Sequence, residues 1–206
     1  LLIGSITPAL IFDTRDNLFT ATKGQITTLS VEYALPYFVG QDMNASNAVG
    51  YSRWQAATHV YTPIFKDIVW SNVVALGYIR NNIAENQVPL IKTFRLGGYA
   101  SVRGFAEDSI NVDRFQVKGD LALLNLRTQV DIPFVGDLRF SPFLDAGNLF
   151  LDFFSKDKDS PDRAHYSKSP FLRMGAGAGL HYMTPIGPIN FDYGVKLNRR
   201  GTEPIG

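Results

Sequence analysis

Apolar and polar residues alternate with a period of two along much of the chain. The stretch 188–198 shows this most clearly, and the segments 121–132 and 25–35 repeat it. Because successive side chains of a β-strand point to opposite faces, the pattern predicts strands with one apolar and one polar face. In 188–198 the apolar face holds Ile189, Phe191, Tyr193, Val195 and Leu197, and the polar face holds Asn190, Asp192, Gly194, Lys196 and Asn198.

Eight segments fit a strand and none gives a convincing helix, so we predict an all-β chain. The connections alternate in length. Short turns carry Pro or Gly, and long loops follow the second, fourth and sixth strands, which is the up-and-down plan of a transmembrane barrel. The strands are expected near 5–14, 25–35, 51–62, 68–80, 121–132, 138–152, 173–184 and 188–198. The turns are expected at Thr62-Pro63, 132–136 and 184–188, and the long loops at about 36–50, 80–119 and 152–172.

The chemistry of the two faces separates a membrane barrel from a soluble lipocalin-like barrel or sandwich, which would share the alternation. Charged side chains occupy the polar faces and are nearly absent from the apolar ones. A soluble barrel would have to bury those charges or leave a very large apolar patch in water. The charges are Arg127, Asp131, Arg139, Asp145, Arg173, Asp192 and Lys196. We therefore predict an antiparallel up-and-down transmembrane β-barrel with a polar lumen.

Composition narrows the classes of function. The 206 residues include 20 basic and 19 acidic side chains, so the chain lacks the concentrated positive charge of a nucleic-acid binder. The absence of cysteine excludes a disulfide scaffold, a thiol enzyme and a cysteine zinc site. His59, His165 and His181 do not have the spacing of metal ligands, and no nucleophile elbow occurs. We expect no enzyme activity, no cofactor and no metal.

Two short motifs stand out. The longest loop, 80–119, is rich in apolar residues and contains Val102, Arg103, Gly104 and Phe105 in succession. The strand near 138–152 reads Phe143-Leu144-Asp145-Ala146-Gly147. With these motifs in this order, the chain resembles the Omp85 superfamily of outer-membrane barrels, whose sixth extracellular loop carries a Val-Arg-Gly-Phe tetrapeptide and whose following strands include Phe-x-Asp-x-Gly.

The resemblance, closest to the BamA and TamA type, implies a function and partners. It implies a non-enzymatic barrel in the outer membrane of a Gram-negative bacterium, or of an organelle of bacterial origin, that folds, inserts or translocates other outer-membrane proteins. The implied partners are outer-membrane lipid, unfolded outer-membrane protein substrates and periplasmic or lipoprotein subunits of an assembly complex. The alternatives are a two-partner secretion pore, the barrel domain of a patatin-like lipase fusion, and a passive porin or adhesin.

The two motifs are expected to meet inside the barrel. By alternation Asp145 lies on the lumen side with Ser141 and Phe143, where an isolated carboxylate needs a cation. A guanidinium from Arg103 can make charge-assisted hydrogen bonds to it and hold the long loop in the lumen. The resemblance implies the same contact. Gly104 is expected in a tight turn, and Phe105 against the barrel wall.

Three glycines of the strand near 173–184 are expected on the lumen face. These are Gly175, Gly177 and Gly179. Without side chains they let another backbone approach closely, which would leave space for the loop. The alternative is that they relieve crowding where the strand curves.

The strand count is smaller than the family's. The resemblance implies a barrel of sixteen strands, usually preceded by periplasmic POTRA domains, with one more strand after the equivalent of residues 202–206. We expect that residues 1–206 form a transmembrane segment of that larger barrel. The alternative is that the eight strands close on themselves or pair with other chains.

Overall fold

The computed structural model describes residues 2–42, 45, 48–83, 86–112, 117–154, 172–184 and 187–198. The described strands form one antiparallel sheet in chain order, in which β1 and β2 both pair with β3. They are β1 (Ser5–Ile6), β2 (Ala9–Asp13), β3 (Gly24–Ala34), β4 (Tyr51–Phe65), β5 (Ile68–Asn81), β6 (Asp120–Val135), β7 (Leu138–Leu151), β8 (Arg173–Thr184) and β9 (Gly187–Lys196). The prediction of an all-β antiparallel architecture is confirmed.

Helical structure is limited to two short 3-10 turns in the described ranges, Pro36–Val39 and Leu90–Lys92. Neither is an α-helix. No helix among these residues is long and apolar enough to cross a membrane.

The first predicted strand is interrupted. Residues 9–13 pair with β3 from Ser30 to Ile26, and Ser5 and Ile6 pair further along the same strand. Pro8 lies between them and has no N–H to donate to the ladder, although its carbonyl accepts a 3.1 Å bond from the Val31 N–H. β1 and β2 are therefore two pieces of one strand, which reconciles the nine observed strands with the eight predicted.

Two predicted turns were misplaced, although the predicted range 132–136 includes Gly136 of the observed turn. Pro63 and Pro133 lie within β4 and β6, which continue to Phe65 and Val135. Each proline stands beside a register shift in the pairing, where a bulge tolerates the missing N–H. The chain instead reverses at 66–67 and 136–137, with left-handed backbone at Lys66 (φ 46°) and Gly136 (φ 58°), as two-residue hairpins require.

Two other predicted connections fall partly or largely outside the described residues. In the turn predicted at 184–188, Thr184 ends β8 and Gly187 begins β9, and positions 185–186 are not described. The loop at 152–172 is described only at 152–154 and 172.

The two faces of the sheet have opposite chemistry. The outer face carries exposed apolar side chains, among them Leu29, Tyr33, Trp54, Trp70, Leu76, Leu144, Tyr182, Phe191 and Tyr193. The inner face, on which the loop between β5 and β6 lies, carries buried polar ones, among them Glu32, Ser71, Asn125, Ser141 and Asp145. An apolar exterior and a polar interior are the arrangement that lipid on one side and a lumen on the other require.

The sheet is open. In the described part of the chain, β9 pairs only with β8, and no pairing joins β9 to β1 or β2. Both edge strands consequently have one unpaired side within these residues.

Candidate functional site

The loop between β5 and β6 is folded back on itself. Its base is closed by a 2.9 Å bond from the Asn81 N–H to the Gly119 carbonyl. Further along, Val88 donates to Val117 over 3.0 Å, and Leu96 and Ile110 exchange two bonds of 2.9 Å. These contacts satisfy backbone groups that a loop on an enclosed face would otherwise leave unpaired.

Apolar side chains hold this loop against the inner face. Val102 is completely buried, and Phe105 retains only 5% of its surface. The loop and the strands share one buried hydrophobic cluster. Its residues from this loop are Val88, Phe94, Leu96, Val102, Phe105, Ile110, Val112 and Val117, and its strand residues are Ala34, Tyr51, Ile79, Leu121, Leu149 and Leu151. Burial of this many apolar side chains stabilises the loop in place.

A tight turn at the tip of the loop presents Arg103. Gly97, Gly98 and Gly104 have φ angles of 109°, 87° and 91°, a region that favours glycine. The Gly98 N–H donates to the Phe105 carbonyl over 2.9 Å, and the Ser101 hydroxyl accepts from the Gly97 N–H over 2.7 Å. The left-handed glycines therefore let the chain turn tightly around the motif.

Arg103 makes a bidentate ion pair with Asp145 of β7. Its Nε lies 2.7 Å from Oδ2 and its Nη2 2.9 Å from Oδ1, and the Arg103 backbone N–H donates to Oδ2 over 3.0 Å. The side chains are 4% and 0% exposed. Burial alone would lower the pKa of Arg103, but the hydrogen bonds and charges of Asp145 and Asp192 raise it, so the guanidinium stays charged.

The aromatic ring of Phe143 contacts the same guanidinium. The Arg103 Cζ lies 3.5 Å from the centre of the Phe143 ring, within the range of a cation–π contact. Phe143 and Asp145 are two residues apart on β7 and therefore share its inner face. Phe105 lies near two cations, with Arg173 Cζ at 4.9 Å and Lys196 Nζ at 5.5 Å from its ring centre.

A ring of polar side chains continues from Arg103 around the inner face. The Arg103 Nη1 donates to Gln129 Oε1 over 2.7 Å and to Asp192 Oδ2 over 3.2 Å. Asp192 Oδ1 lies 2.8 Å from His181 Nε2, and Gln129 Nε2 donates to Asp131 over 2.7 Å. The loop tip is thereby tied to β6, β7, β8 and β9.

Ser141 completes this ring and creates a Ser–His–Asp arrangement with His181 and Asp192 that the sequence did not reveal. Its hydroxyl lies 3.2 Å from His181 Nδ1 and donates to Asp131 over 2.6 Å. Ser141 is fully buried, so its oxygen has no open approach for a substrate. The Ser141 hydroxyl donates to Asp131, whereas the serine of a catalytic triad donates to its histidine.

The predicted glycines lie where neighbouring atoms approach closely. A Cβ on Gly175 would overlap the Arg103 carbonyl oxygen, and one on Gly147 would come within 3.0 Å of Val102 Cγ2. Gly177 and Gly179 face β9 instead, against the Tyr193 carbonyl and the Asp192 carboxylate. Gly194 of β9, which the sequence did not single out, has its Cβ position 2.8 Å from the Gly104 nitrogen.

The histidines do not form a metal centre in the described part of the chain. His59 and His181 line an inner cavity of about 260 Å³ below the loop tip. No group of three or more histidine, aspartate or glutamate side chains that could hold a metal occurs among the residues described. His165 lies outside them.

Comparisons with known proteins agree with this architecture. The model of the Omp85 superfamily domain matches residues 3–206. The outer membrane protein assembly factor BamA of Neisseria meningitidis serogroup B is 24% identical over 214 residues, which cover 92% of this chain and 26% of that protein. The crystal structure of BamA from Haemophilus ducreyi lacking POTRA domains 1-3 matches with a TM-score of 0.72 at 21% identity, over 98% of this chain and 40% of that one. The chain therefore spans about a quarter of the length of the relative from Neisseria.

Proposed function

The chain belongs to the Omp85 superfamily, and we propose that it is part of a non-enzymatic outer-membrane barrel that folds and inserts other outer-membrane proteins. The observation that carries this proposal is the loop tip held on the inner face by the buried Arg103–Asp145 pair. The relative from Neisseria, itself an assembly factor, supports the same role.

The proposed site is the loop anchor and the wall that receives it. Val102, Arg103, Gly104 and Phe105 are the loop side of the anchor. Phe143, Asp145 and Gly147 of β7 are the strand side, and the glycines of β8 leave room for the loop and for β9. Because the pair is bidentate and buried, it fixes both the position and the orientation of the tip.

We propose a larger barrel to account for the open edges of the sheet. Each edge of a sheet in lipid leaves unpaired N–H and C=O groups that cost several kcal/mol apiece, a penalty on the order of tens of kcal/mol for two edges. We propose that further strands pair with β1, β2 and β9 and complete the barrel. The proposed partners are outer-membrane lipid on the outer face, unfolded outer-membrane proteins as substrates, and periplasmic or lipoprotein subunits.

Reconstitution tests this function. The protein is placed in vesicles of outer-membrane lipid, and the folding rate of a urea-denatured outer-membrane barrel is followed by its shift to the heat-modifiable folded band. We expect folding to be roughly tenfold faster than in empty vesicles, because a preformed barrel lowers the barrier to insertion by about 1.4 kcal/mol or more.

The same vesicles distinguish the alternatives. A steady large conductance with no acceleration of folding would contradict the assembly function and favour a passive porin. Acceleration restricted to one large secreted partner would favour a secretion pore, and lipid hydrolysis would favour a lipase fusion. A loop that covers the inner face is expected to keep conductance low.

A further inference from the structure

A second buried carboxylate contacts the loop at a distance from Arg103. Glu32 of β3 is 6% exposed. Its Oε1 lies 2.7 Å from Lys92 Nζ and accepts a 2.7 Å hydrogen bond from the Tyr51 hydroxyl. Arg53 Nη1 lies 3.7 Å from the other carboxylate oxygen. Lys92 comes from the loop, whereas the other three side chains belong to the sheet.

Phe94, two residues further along the loop, packs against the same part of the inner face. The Phe94 ring is 3% exposed and lies 4.9 Å below the Arg53 guanidinium carbon. It also fills a notch at Gly77 of β5, where a Cβ would come within 2.5 Å of Phe94 Cζ. Lys92 is therefore held by an ion pair, and Phe94 is held beside it by its contacts with Arg53 and Gly77.

This contact and the Arg103 contact lie on different parts of the sheet. Glu32, Arg53 and Gly77 belong to β3, β4 and β5, whereas Asp145 and Asp192 belong to β7 and β9. The sheet order places β6 between these two groups. The loop thus crosses the inner face and is attached on both sides of β6.

We propose that Glu32 and Lys92 form a second anchor, which positions residues 90–94 of the loop on β3–β5 independently of Arg103. Glu32 and Lys92 act as positioning residues, since they hold the loop rather than contact a substrate. Lys92 is about one third exposed, so the pair is weaker than the buried one at Arg103. The importance of this anchor for assembly rests on the proposed function, whereas its geometry does not.

Two cysteine reporters test the two ends separately. The chain has no cysteine, so Thr93→Cys and Ser101→Cys, both at buried positions, each report on one end of the loop. In the full-length protein in vesicles, we expect Glu32→Gln and Lys92→Met to raise the maleimide labelling rate at Thr93→Cys roughly tenfold. Labelling at Ser101→Cys should change less than about twofold, because a substitution at one of two independent sites does not destabilise the other.

Control variants keep the test decisive. Lys92→Arg should preserve protection, because it retains the charge and donors, and Lys118→Met removes a cation from an exposed position of the same loop and should change neither reporter. If Glu32→Gln does not fold, as judged by heat-modifiable mobility, Lys92→Met carries the test. An unchanged rate at Thr93→Cys, an equal rise at both reporters, or a failure of Lys92→Arg to protect would each overturn the second anchor.

The folding assay separates this inference from the proposed function. Slower assembly in Lys92→Met but not in Lys118→Met supports a positioning role in assembly. If wild-type protein does not accelerate folding, the proposed function is wrong, and the labelling pattern still decides whether the second anchor exists.

Discussion

Arg103→Ala is expected to release the tip of the β5–β6 loop and to slow outer-membrane protein assembly. The change leaves Asp145 buried with Arg127 Nε, at 3.7 Å, as a remaining cation. Loss of one partner of a buried pair costs about 3–5 kcal/mol. We therefore expect labelling at Ser101→Cys to rise roughly a hundredfold or more, and proteolysis of the loop to begin in the folded barrel. Asp145→Ala should have the same effect.

The control is Lys118→Ala. Lys118 is an exposed cation of the same loop, so this change removes a positive charge without opening the buried pair. It should leave labelling and assembly within about twofold of wild type, as surface substitutions usually do. Wild-type protection of the loop in both Arg103→Ala and Asp145→Ala would contradict the anchor.

Gly175→Ala is expected to displace the loop without removing any of its charges. A Cβ at this position would overlap the Arg103 carbonyl oxygen, which belongs to backbone and cannot rotate away. Insertion of a methyl group into a packed site costs typically 1–3 kcal/mol. We expect labelling at Ser101→Cys to rise roughly tenfold or more and assembly to slow accordingly.

Ala176→Val is the control for added volume. Ala176 is the neighbour of Gly175 on β8 and points to the outer face, because successive side chains of a strand alternate. Its extra methyl groups would meet lipid and should leave the loop protected. Equal labelling in Gly175→Ala and wild type would show that the β8 glycines serve strand curvature rather than loop access.

The strands could be predicted from the sequence because each has one polar and one apolar face, which gives alternating residues along the chain. In β9 the exposed Phe191 and Tyr193 alternate with Asp192, as the sequence pattern requires. The juxtaposition of Arg103 with Asp145 was expected on the same basis, since alternation placed Asp145 inside and an isolated carboxylate needs a cation. Their role as an anchor stays a prediction.

The rest of the site depends on strand register, which alternation does not determine. Asp192 and His181 meet because β8 and β9 pair with Gly179 opposite Asp192, and a shift by two residues would keep every face and lose this contact. The Glu32–Lys92 pair joins residues that are 60 positions apart and includes a loop whose path no periodicity describes. Only the lumen-facing position of Glu32 could be read from the pattern.

The prolines explain the two misplaced turns. Pro63 and Pro133 read as turn signals, because proline usually ends a strand interior. Both instead occupy bulges within long strands, and the true turns at 66–67 and 136–137 carry Asp with Lys or Gly. A bulge relaxes the hydrogen-bonding requirement that makes proline a strand breaker.

A double-mutant cycle at Arg103 and Asp145 tests the central claim most directly. Labelling at Ser101→Cys and the folding rate of an outer-membrane substrate are measured for Arg103→Ala, Asp145→Ala and the double variant. Because each single change already breaks the pair and leaves a buried charge, the double variant should be no more exposed and no slower than either single one. If the effects of the two single variants on labelling and on assembly simply add in the double variant, Arg103 and Asp145 act separately. That result would contradict the account.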